Sequence, residues 1–511
     1  MIDVLLINPG NSNKVYQELS NKYTAIEPPT WSLLLAKSCQ SQGFVPKILD
    51  CNVENLSNDE ILKKVEEVNP RLICFVVYGQ NVNAGTTSME GAIDISNFLK
   101  KHSNKLISYV GSHVQALPLE TLKNEKSIDF VFTNEGVYAL WNILKLSNIS
   151  IDNLKDIKGI AYRNQNGKVI FNRPEIVVPN NKMDEHLPGY AWELLPFKNE
   201  PFDLYRSPMW HAEYSEENRT PYAAIQTSLG CQFKCSFCMI NIINRNDNKE
   251  VGVANTYSNM RYWTPNFIIK EFDKLISYGV KTIKITDEMF LLNPKYYKPL
   301  CEMLAERNKD DKLMMWAYSR VDTVKRKEIL SLVRKAGIKW LALGIESGDK
   351  NVRLEVSKGK FEDVDVNKVI EQVHDSDIQV MGNYIFGLPG DTKESMKKTL
   401  DLSIKLNTLG WNGYAATALP GSELYKIALD KGEKLPETYE AYSFHSYNAL
   451  PLSNENLTAA EILHFRDEAF LTYHTNENFL NKALKKFGKK SVDNIKAMTN
   501  IKLKRQILEK N

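Results

Sequence analysis

The chain has 511 residues, more than one ordinary hydrophobic core accommodates, so two or three domains are expected. Its 65 basic and 62 acidic residues leave a net charge of +3, which gives no reason to expect a nucleic acid or an anionic membrane as partner. Residues 1–8 lack the basic region of a secretion signal, and no apolar run is long enough for a membrane span. Seven cysteines fit a reducing cytoplasm.

Short β-branched runs alternate with amphipathic stretches over the first 150 residues. Strands are predicted at 4–8, 47–50, 71–77, 105–110 and 130–133, and helices at 30–42, 59–68, 88–101 and 137–146. This alternation predicts a flavodoxin-like, Rossmann-type domain with a parallel sheet and helices on both faces. In the strand order 2-1-3-4-5, a ligand crevice lies beside the first and third strands. The polar loops there contain Asn8, Pro9, Tyr78, Gln80, Asn81, Ser112 and His113.

A β-hairpin and an irregular stretch follow this α/β region. Residues 159–171 predict the hairpin, because Asn166 and Gly167 form a turn signal between alternating strands. Residues 174–221 are rich in Pro, Asn and aromatic side chains without a clean period, so we interpret them as a linker that wraps the surface. The predicted boundaries are 1–150 for the first domain and 151–221 for the hairpin and linker.

From residue 222 the βα alternation resumes at longer spacing. Strands are predicted at 223–227, 282–286, 314–317, 340–343, 380–386 and 412–416, and helices at 265–278, 294–308, 326–336, 365–376, 393–406 and 423–431. Six such units predict a partial (β/α)6 barrel of the TIM type over residues 222–434, with its chemistry at the carboxyl ends of the strands.

A small, mostly helical region is predicted over residues 435–511. Its aromatic stretch 441–447 is a candidate lining for a substrate cavity. Its later lysines are interspersed with Glu and Asp, which is typical of a solvated helix face and not of an RNA-binding surface.

Three cysteines follow the first predicted barrel strand. Cys231, Cys235 and Cys238 are separated by three residues and then by two. A 4Fe-4S cluster needs four ligands, usually thiolates, so three thiolates from one loop leave one iron open to a substrate molecule. A structural zinc site would need a fourth Cys or His nearby, which this loop lacks, and a disulfide does not fit the compartment.

This cysteine loop, including Phe237 before the last cysteine, strongly resembles the cluster loop of radical S-adenosylmethionine (SAM) enzymes. The first domain resembles the cobalamin (B12)-binding domain that precedes the barrel in one class of these enzymes. The matching pieces are Asn8-Pro9, Pro28-Pro29, residues 111–114 and Asn134-Glu135-Gly136. Residues 1–150 contain no Asp-x-His-x-x-Gly motif, so we interpret His113 as a loop residue near the corrin and not as a cobalt ligand. A domain that has lost cobalamin and only docks the barrel is the alternative.

The resemblance assigns SAM to residues at the ends of the barrel strands. Asp287 and Glu288 are expected at the SAM amine, and Ser319 and Arg320 at the SAM carboxylate. Glu346 and Ser347 are expected at the ribose and Gly387 at the adenine. Phe237 is expected to contact the SAM molecule from the cysteine loop. Carboxylates suit an ammonium group and a guanidinium suits a carboxylate. Taken singly, acidic residues at strand ends are often helix caps, and their order along the chain makes the set specific. The expected cobalamin contacts are Asn8, Pro9, Tyr78, Gln80, Asn81, Ser112, His113, Glu135 and Gly136.

The resemblance also implies the chemistry. The reduced cluster cleaves SAM to a 5′-deoxyadenosyl radical, which abstracts hydrogen from an unactivated carbon, and cobalamin then delivers a methyl group. The leading prediction is therefore a cobalamin-dependent radical SAM C-methyltransferase for a small-molecule or carrier-borne substrate, with flavodoxin or ferredoxin as electron donor.

Three other functions are alternatives to the methyltransferase. An oxidative cyclase or rearrangement enzyme of the same architecture fits the same motifs. tRNA methylthiolation would require further cluster cysteines and an RNA-binding β-barrel, which the sequence does not predict. A cluster used for electron transfer or sensing would not require the SAM-binding strand ends. The sequence names no catalytic acid, base or hydrogen donor.

Overall fold

The first sheet is built as the sequence predicts. The computed structural model describes residues 1–10, 13–79, 82–357 and 364–509. The strands are β1 (Val4–Asn8), β2 (Pro46–Asp50), β3 (Leu72–Val77), β4 (Ile107–Gly111), β5 (Phe130–Phe132), β6 (Ile160–Arg163) and β7 (Val169–Phe171), in the order β2-β1-β3-β4-β5-β6-β7. The pairs from β2 to β5 are parallel, which confirms the flavodoxin-like order.

The predicted hairpin, β6 and β7, continues this sheet. Strand β6 pairs antiparallel with β5, where Phe130 lies opposite Tyr162, and β7 pairs with β6. The predicted division at residue 150 therefore falls between strands of one continuous sheet.

The helices of this part cover the two faces of the sheet. They are Asn13–Tyr16, Leu19–Lys22, Thr30–Ser41, Cys51–Glu54, Asn58–Val68, Gly85–His102, Ser112–Ala116, Pro118–Asn124 and Val137–Leu144. Strand β3 is buried along its whole length because it lies inside the sheet between β1 and β4. The helix predicted from 88 begins at Gly85, where a Cβ would come within 1.9 Å of the Ser112 hydroxyl oxygen.

The second half forms a six-stranded parallel sheet with a small ribbon beside it. The strands are β8 (Tyr222–Ile225), β9 (Ser228–Cys231), β10 (Asn259–Tyr262), β11 (Thr282–Ile285), β12 (Met314–Arg320), β13 (Ile338–Glu346), β14 (Gln379–Phe386) and β15 (Gly410–Ala415). The large sheet has the order β15-β14-β13-β12-β11-β8, and this half-barrel confirms the predicted fold.

The antiparallel ribbon of β9 and β10 was not predicted. It pairs Cys231 with Asn259, so the first cluster cysteine lies on a strand and not in a free loop. Both strands are only four residues long and lie far apart in sequence, which leaves no local alternation to reveal the pairing.

The barrel helices follow their strands as predicted, and the C-terminal region is helical. The helices are Met183–His186, Pro265–Ser277, Pro294–Arg307, Lys327–Lys335, Lys350–Val356, Val366–Asp375, Lys393–Leu406, Glu423–Lys431, Ala459–His474, Glu477–Phe487, Lys489–Thr499 and Gln506–Glu509. Within the described part of the chain, none of the helices combines the length and the apolarity that a membrane crossing requires.

The loops that follow β3, β4 and β5 lie against the segment that follows the cysteines. The Asn83 side chain accepts a hydrogen bond from the Met239 amide at 3.3 Å, and the Ala116 carbonyl accepts one from the Gly252 amide at 2.8 Å. The carboxyl edge of the first sheet therefore faces the barrel at its cysteine loop, which places the two predicted ligand edges next to each other.

Candidate functional site

The cysteine loop is fixed on both sides by backbone hydrogen bonds. The Cys231 amide donates to the Asn241 side chain at 2.8 Å. The Ser236 amide donates to the Val356 carbonyl at 3.0 Å, and the Ser236 carbonyl accepts from the Leu424 amide at 2.9 Å. These bonds tie the loop to the segments that follow β13 and β15, so its shape is set by the barrel.

Glycine is required at the residue before the first cysteine. Gly230 has a φ of +84°, and a Cβ there would lie 2.1 Å from the Asn259 carbonyl oxygen across the ribbon. A side chain would push β9 away from β10 and displace Cys231.

The three thiols fit a cluster. All are free and partly or fully buried. Cys235 raises the pKa of both Cys231 and Cys238, and Cys231 raises that of Cys238, so the three lie close together. Burial raises the pKa of Cys231 to about 12 and of Cys235 to about 11. The Phe233 and Ile240 amides approach the sulfurs of Cys231 and Cys238 at 3.4 and 3.5 Å, which favours thiolates.

The guanidinium of Arg320 lies beside the middle thiol, Cys235, and offsets part of the rise in pKa that burial causes there. Among the described residues, no three His, Cys, Asp or Glu side chains are placed to hold a single metal ion. A 4Fe-4S cluster is different, because each thiolate binds a different iron and N–H donors to the sulfurs tune it. Three thiols with two amides and one guanidinium around them form a suitable donor set for that cluster.

Asp287, predicted at the SAM amine, is held by the barrel. Its carboxylate accepts hydrogen bonds from the Thr227 amide and hydroxyl at 2.6 and 2.7 Å and from the Ser228 hydroxyl at 2.5 Å. Burial raises its pKa to about 6. The next residue, Glu288, is half-buried, and burial raises its pKa to about 7. Of this predicted pair, Glu288 is the carboxyl with surface available to a ligand.

Ser319 and Arg320, predicted at the SAM carboxylate, end β12. The Ser319 hydroxyl lies 2.8 Å from the Thr323 hydroxyl. The Arg320 guanidinium donates from Nε to Asp322 at 2.7 Å and stacks on the Phe233 ring, 3.8 Å from its centroid. Asp322 thus takes up one edge of the guanidinium and orients the rest of it toward the cysteine loop.

Glu346, predicted at the ribose, ends β13 in an unusual backbone conformation. Its φ is +64°, at a shift in the pairing of β13 with β14, and its carboxylate lies so close to Gly344 that a Cβ there would be 2.5 Å from it. Burial raises the pKa of Glu346 to about 7. A left-handed conformation is costly for Glu, and it turns this carboxyl toward Arg320 and Cys235.

Ser347, also predicted at the ribose, is fully buried. Its hydroxyl lies 3.3 Å from that of Thr399 and accepts a hydrogen bond from the Asp349 amide at 3.1 Å. Its carbonyl accepts from Arg353 at 2.7 Å. Ser347 therefore connects β13 to two helices.

Gly387, predicted near the adenine, and Phe237, predicted to contact SAM, lie by the ends of β14 and β15. Phe237 is half-buried against an apolar cluster formed by Val352, Val356, Ile385, Leu388 and Ala416. Gly387 has a φ of +83°, and its amide donates to Asp391 at 3.0 Å. This apolar surface beside the last cysteine is suited to a flat heteroaromatic ring.

The predicted cobalamin residues gather at the carboxyl edge of the first sheet. The Asn8 side-chain amide donates a hydrogen bond to Asp50 at 2.7 Å, and the next residue, Pro9, is buried. The Tyr78 hydroxyl accepts a hydrogen bond from Gln115. The Ser112 hydroxyl donates one to the Val82 carbonyl at 2.6 Å. Gln80 and Asn81 lie outside the described residues.

His113 is turned into the protein. Its Nδ1 lies 3.2 Å from the Thr86 hydroxyl, and its ring meets the edge of Tyr439 at 5.1 Å. Burial lowers its pKa to about 4, so it is neutral. Its contacts are with a helix of the first domain and with the C-terminal region. It lies on the short helix Ser112–Ala116 and not in a loop as predicted, because the chain turns into a helix directly after β4.

Glu135 contacts the barrel through a buried ion pair with Arg261 that the sequence did not reveal. The carboxylate lies 2.7 Å from the guanidinium, and both side chains are 1% exposed. Arg261 also donates to the Val178 carbonyl at 2.8 Å and to Asn244 at 2.9 Å. The next residue, Gly136, has a φ of +85°, and its amide donates to Asn134. Because Arg261 lies on β10, this pair joins the first sheet to the ribbon that carries Cys231.

Two family models match the chain. The B12 binding domain covers residues 19–144 and the Radical SAM superfamily covers residues 225–403. This chain belongs to the cobalamin-binding radical SAM enzymes. Such domains bind a 4Fe-4S cluster, SAM and cobalamin, and the thiol loop and the two facing edges described above carry the residues that would hold them.

Similar proteins span most of the enzyme. It is 25% identical over 448 residues to the uncharacterized methyltransferase PH0819 of Pyrococcus horikoshii, which covers 87% of this chain and 86% of the relative. It is 22% identical over 452 residues to the anaerobic magnesium-protoporphyrin IX monomethyl ester cyclase of Cereibacter sphaeroides, over 85% of this chain and 65% of the cyclase.

The fold is also that of a solved structure. The radical SAM methyltransferase TsrM from Kitasatospora setae, with cobalamin and a 4Fe-4S cluster bound, superposes with a TM-score of 0.62 at 16% identity. The match covers 93% of this chain and 88% of TsrM.

Proposed function

We propose that this enzyme is a cobalamin-dependent radical SAM C-methyltransferase that acts on a small-molecule or carrier-borne substrate. The observation that carries the proposal is the contact between the carboxyl edge of the first sheet and the cysteine loop, at Asn83–Met239, Ala116–Gly252 and Glu135–Arg261. A corrin held at that edge would face the cluster and SAM across one buried space.

When bound, the cluster and SAM would supply a hydrogen-abstracting radical, and cobalamin would supply a methyl group. The protein's own residues bind and orient. In this proposal Glu288, Arg320 and Glu346 hold the polar groups of SAM, and Phe237 packs on its adenine. Asp287, Ser319 and Ser347 fix the strand ends that carry them. The buried domain contacts exclude water from the reacting centre.

A small-molecule substrate is supported by the relatives' names, which refer to magnesium-protoporphyrin, cytidylyl-2-hydroxyethylphosphonate and tryptophan. We further propose a reduced flavodoxin or ferredoxin as electron donor, a cytoplasmic location and no nucleic-acid partner. The cobalamin contacts proposed for this chain are Asn8, Pro9, Tyr78, Ser112, His113 and Gly136. Glu135 acts there through Arg261.

An oxidative cyclisation is the second candidate, because several relatives are magnesium-protoporphyrin cyclases. Labelled SAM separates the two. The enzyme would be purified without oxygen, loaded with iron, sulfide and hydroxocobalamin, and given SAM labelled in its methyl group under reducing conditions. A methyltransferase should transfer label to the bound cobalamin. Retained cobalamin without label would favour the cyclase, and failure to retain cobalamin would leave a domain that only docks the barrel.

A matched pair of variants checks that the reductive cleavage of SAM depends on the cluster. Cys235→Ala should lose iron and the reductive cleavage of SAM, while Cys301→Ala, at a buried cysteine inside the helix Pro294–Arg307, should keep both. Equal iron content in the two variants would contradict the cluster assignment.

A further inference from the structure

A row of aromatic side chains from three separate parts of the chain lies beside the barrel strands. The ring centroid of Tyr16 lies 5.6 Å from that of His445, His445 lies 4.1 Å from Phe444, and Phe444 meets Tyr414 edge-on at 5.3 Å. Tyr16 belongs to the first helix, Tyr414 to β15, and the other two to the segment after the barrel. All four residues are half-buried, so part of each remains accessible to a ligand.

One end of this row reaches a buried ion pair. Burial raises the pKa of Tyr16 to about 12, Glu27 raises it further and Lys284 lowers it, so Tyr16 lies near both charges. The Lys284 ammonium lies 2.9 and 3.0 Å from the two Glu27 oxygens. It also lies 5.1 and 5.5 Å from the ring centroids of Trp316 and Tyr318 on β12.

The other end of the row reaches the candidate SAM site. Burial raises the pKa of the Tyr414 hydroxyl, and Tyr318, Glu346 and Glu288 raise it further, which places Tyr414 near those side chains. Tyr414 also packs on the same apolar cluster as Phe237 of the cysteine loop. Tyr16, His445, Phe444, Tyr414 and Tyr318 therefore lie around the region between the SAM site and the Glu27–Lys284 pair, and all five are half-buried. We refer to this region as the chamber.

The buried cations around the chamber already have carboxylate partners. Lys284 pairs with Glu27, and both side chains are less than a tenth exposed. Arg466, which lies over the Phe444 ring at 4.8 Å, is 3.0 Å from Asp467, and Arg505 is 2.8 Å from the same carboxylate. An anionic substrate would have to compete with these pairs, so the wall favours a ligand without charge.

His445 supplies the hydrogen-bonding group of the wall. Its backbone bonds Gln17 and Ser443, but neither imidazole nitrogen hydrogen-bonds to any residue within the described ranges. Burial, together with Arg466 and Arg505, lowers its pKa well below the usual value. The ring is therefore neutral and offers one acceptor and one donor nitrogen to a ligand in the chamber.

We propose that the chamber binds the substrate through a planar, uncharged ring that donates an N–H or O–H hydrogen bond to His445 and packs against Tyr16 and Phe444. This inference rests on the proposed function, because it assigns the substrate to the space next to SAM. It makes His445 a binding residue that selects substrates with a donor group, and it gives the segment after the barrel a part in specificity.

The test measures the binding of three naphthalenes to the SAM-loaded holoenzyme by equilibrium dialysis. 2-Naphthol has a planar ring and a donor, 2-methoxynaphthalene has the ring without a donor, and 2-naphthoate carries a negative charge. We expect 2-naphthol to bind about fivefold more tightly than 2-methoxynaphthalene, since one neutral hydrogen bond is at stake, and 2-naphthoate to bind most weakly.

His445→Phe should remove the difference between 2-naphthol and 2-methoxynaphthalene and leave the affinity for the latter unchanged. His464→Phe is the matched control, because His464 is exposed and pairs with Glu468 on the helix surface. Tyr16→Leu should weaken both uncharged ligands equally, which gives a second variant should His445→Phe fail to fold. A preference that survives His445→Phe, tightest binding of 2-naphthoate, or no binding to the wild-type enzyme would overturn the proposal.

The outcomes of this binding test can be told apart from those of the test of the proposed function. Dialysis needs no turnover, whereas the methyltransferase proposal is tested by label transfer to cobalamin. If the enzyme transfers no label but shows the His445-dependent preference, the chamber proposal stands and the methyltransferase proposal fails. If the enzyme transfers label but shows no preference for 2-naphthol, the methyltransferase proposal stands and the chamber proposal fails.

Discussion

The carboxyl edges of the two sheets use their polar side chains differently. At the barrel edge, neighbouring residues have different contacts. Asp287 and Ser347 are hydrogen-bonded within the barrel, while the adjacent residues Glu288 and Glu346 are only half-buried and remain accessible to a ligand. At the edge of the first sheet, Glu135 is bonded to the barrel instead. A motif residue can thus hold the site together without touching the cofactor, and its hydrogen bonds tell the two roles apart.

The largest expected effect is at the cysteine loop. Replacing Cys231, Cys235 or Cys238 singly by Ala should reduce iron from about four atoms per chain to background, because the cluster then keeps only two protein thiolates. Iron analysis of the anaerobically reconstituted protein measures this. Full iron content in any of the three variants would exclude that cysteine as a ligand.

The second-largest effect is expected at the Glu135–Arg261 ion pair, which joins the carboxyl edge of the first sheet to the ribbon beside the barrel. Arg261→Met leaves Glu135 buried without its partner, so the free energy of unfolding should fall by about 3–5 kcal/mol. Glu135→Leu combined with Arg261→Met should lose less than the single variant, because both charges leave the interior together. Urea unfolding followed by tryptophan fluorescence measures both. A loss below about 1 kcal/mol in Arg261→Met would show that the pair does not join the domains.

The division between Asp287 and Glu288 can be tested by comparing their variants. Asp287→Ala leaves three buried donors without an acceptor and should cost about 3 kcal/mol of unfolding free energy. Glu288→Gln should change stability by less than about 1 kcal/mol and weaken SAM binding instead. Urea unfolding and equilibrium dialysis with SAM measure the two effects. The reverse pattern would assign the SAM amine to Asp287.

The smallest change in stability is expected at Glu346. Asn tolerates the left-handed backbone better than Glu, so Glu346→Asn should leave the free energy of unfolding within about 0.5 kcal/mol of the wild type or raise it. Because the shorter side chain no longer reaches a ribose hydroxyl, SAM affinity should fall about tenfold. Unchanged SAM affinity would remove Glu346 from the proposed SAM contacts.

The site could be predicted from the sequence only in part. The order of the strand ends located Glu288, Arg320 and Glu346 at one edge, since parallel strands bring their carboxyl ends together. The same reasoning placed Asp287 and Ser347 at the ligand, but a carboxylate and a hydroxyl next to a strand end serve a neighbouring backbone equally well. Local sequence cannot distinguish the two uses, because they depend on where Thr227 and Thr399 lie.

Other parts of the site left no signal in the sequence. Arg261 and Glu135 are 126 residues apart, and Glu27 and Lys284 are 257 apart. Nothing near Tyr16 or His445 shows that the two rings meet. Such contacts form only when the domains close on each other, so no local period or motif records them.

The sequence by itself determined the two α/β domains, the half-barrel and the three thiols, because strand alternation and cysteine spacing are local properties of the chain. Only the tertiary structure decided which polar residue of each pair keeps an accessible surface, how the two edges are joined, and which side chains of the segment after the barrel meet Tyr16 and Tyr414. These features depend on burial and on partners far away in the chain, and both exist only once the chain has folded.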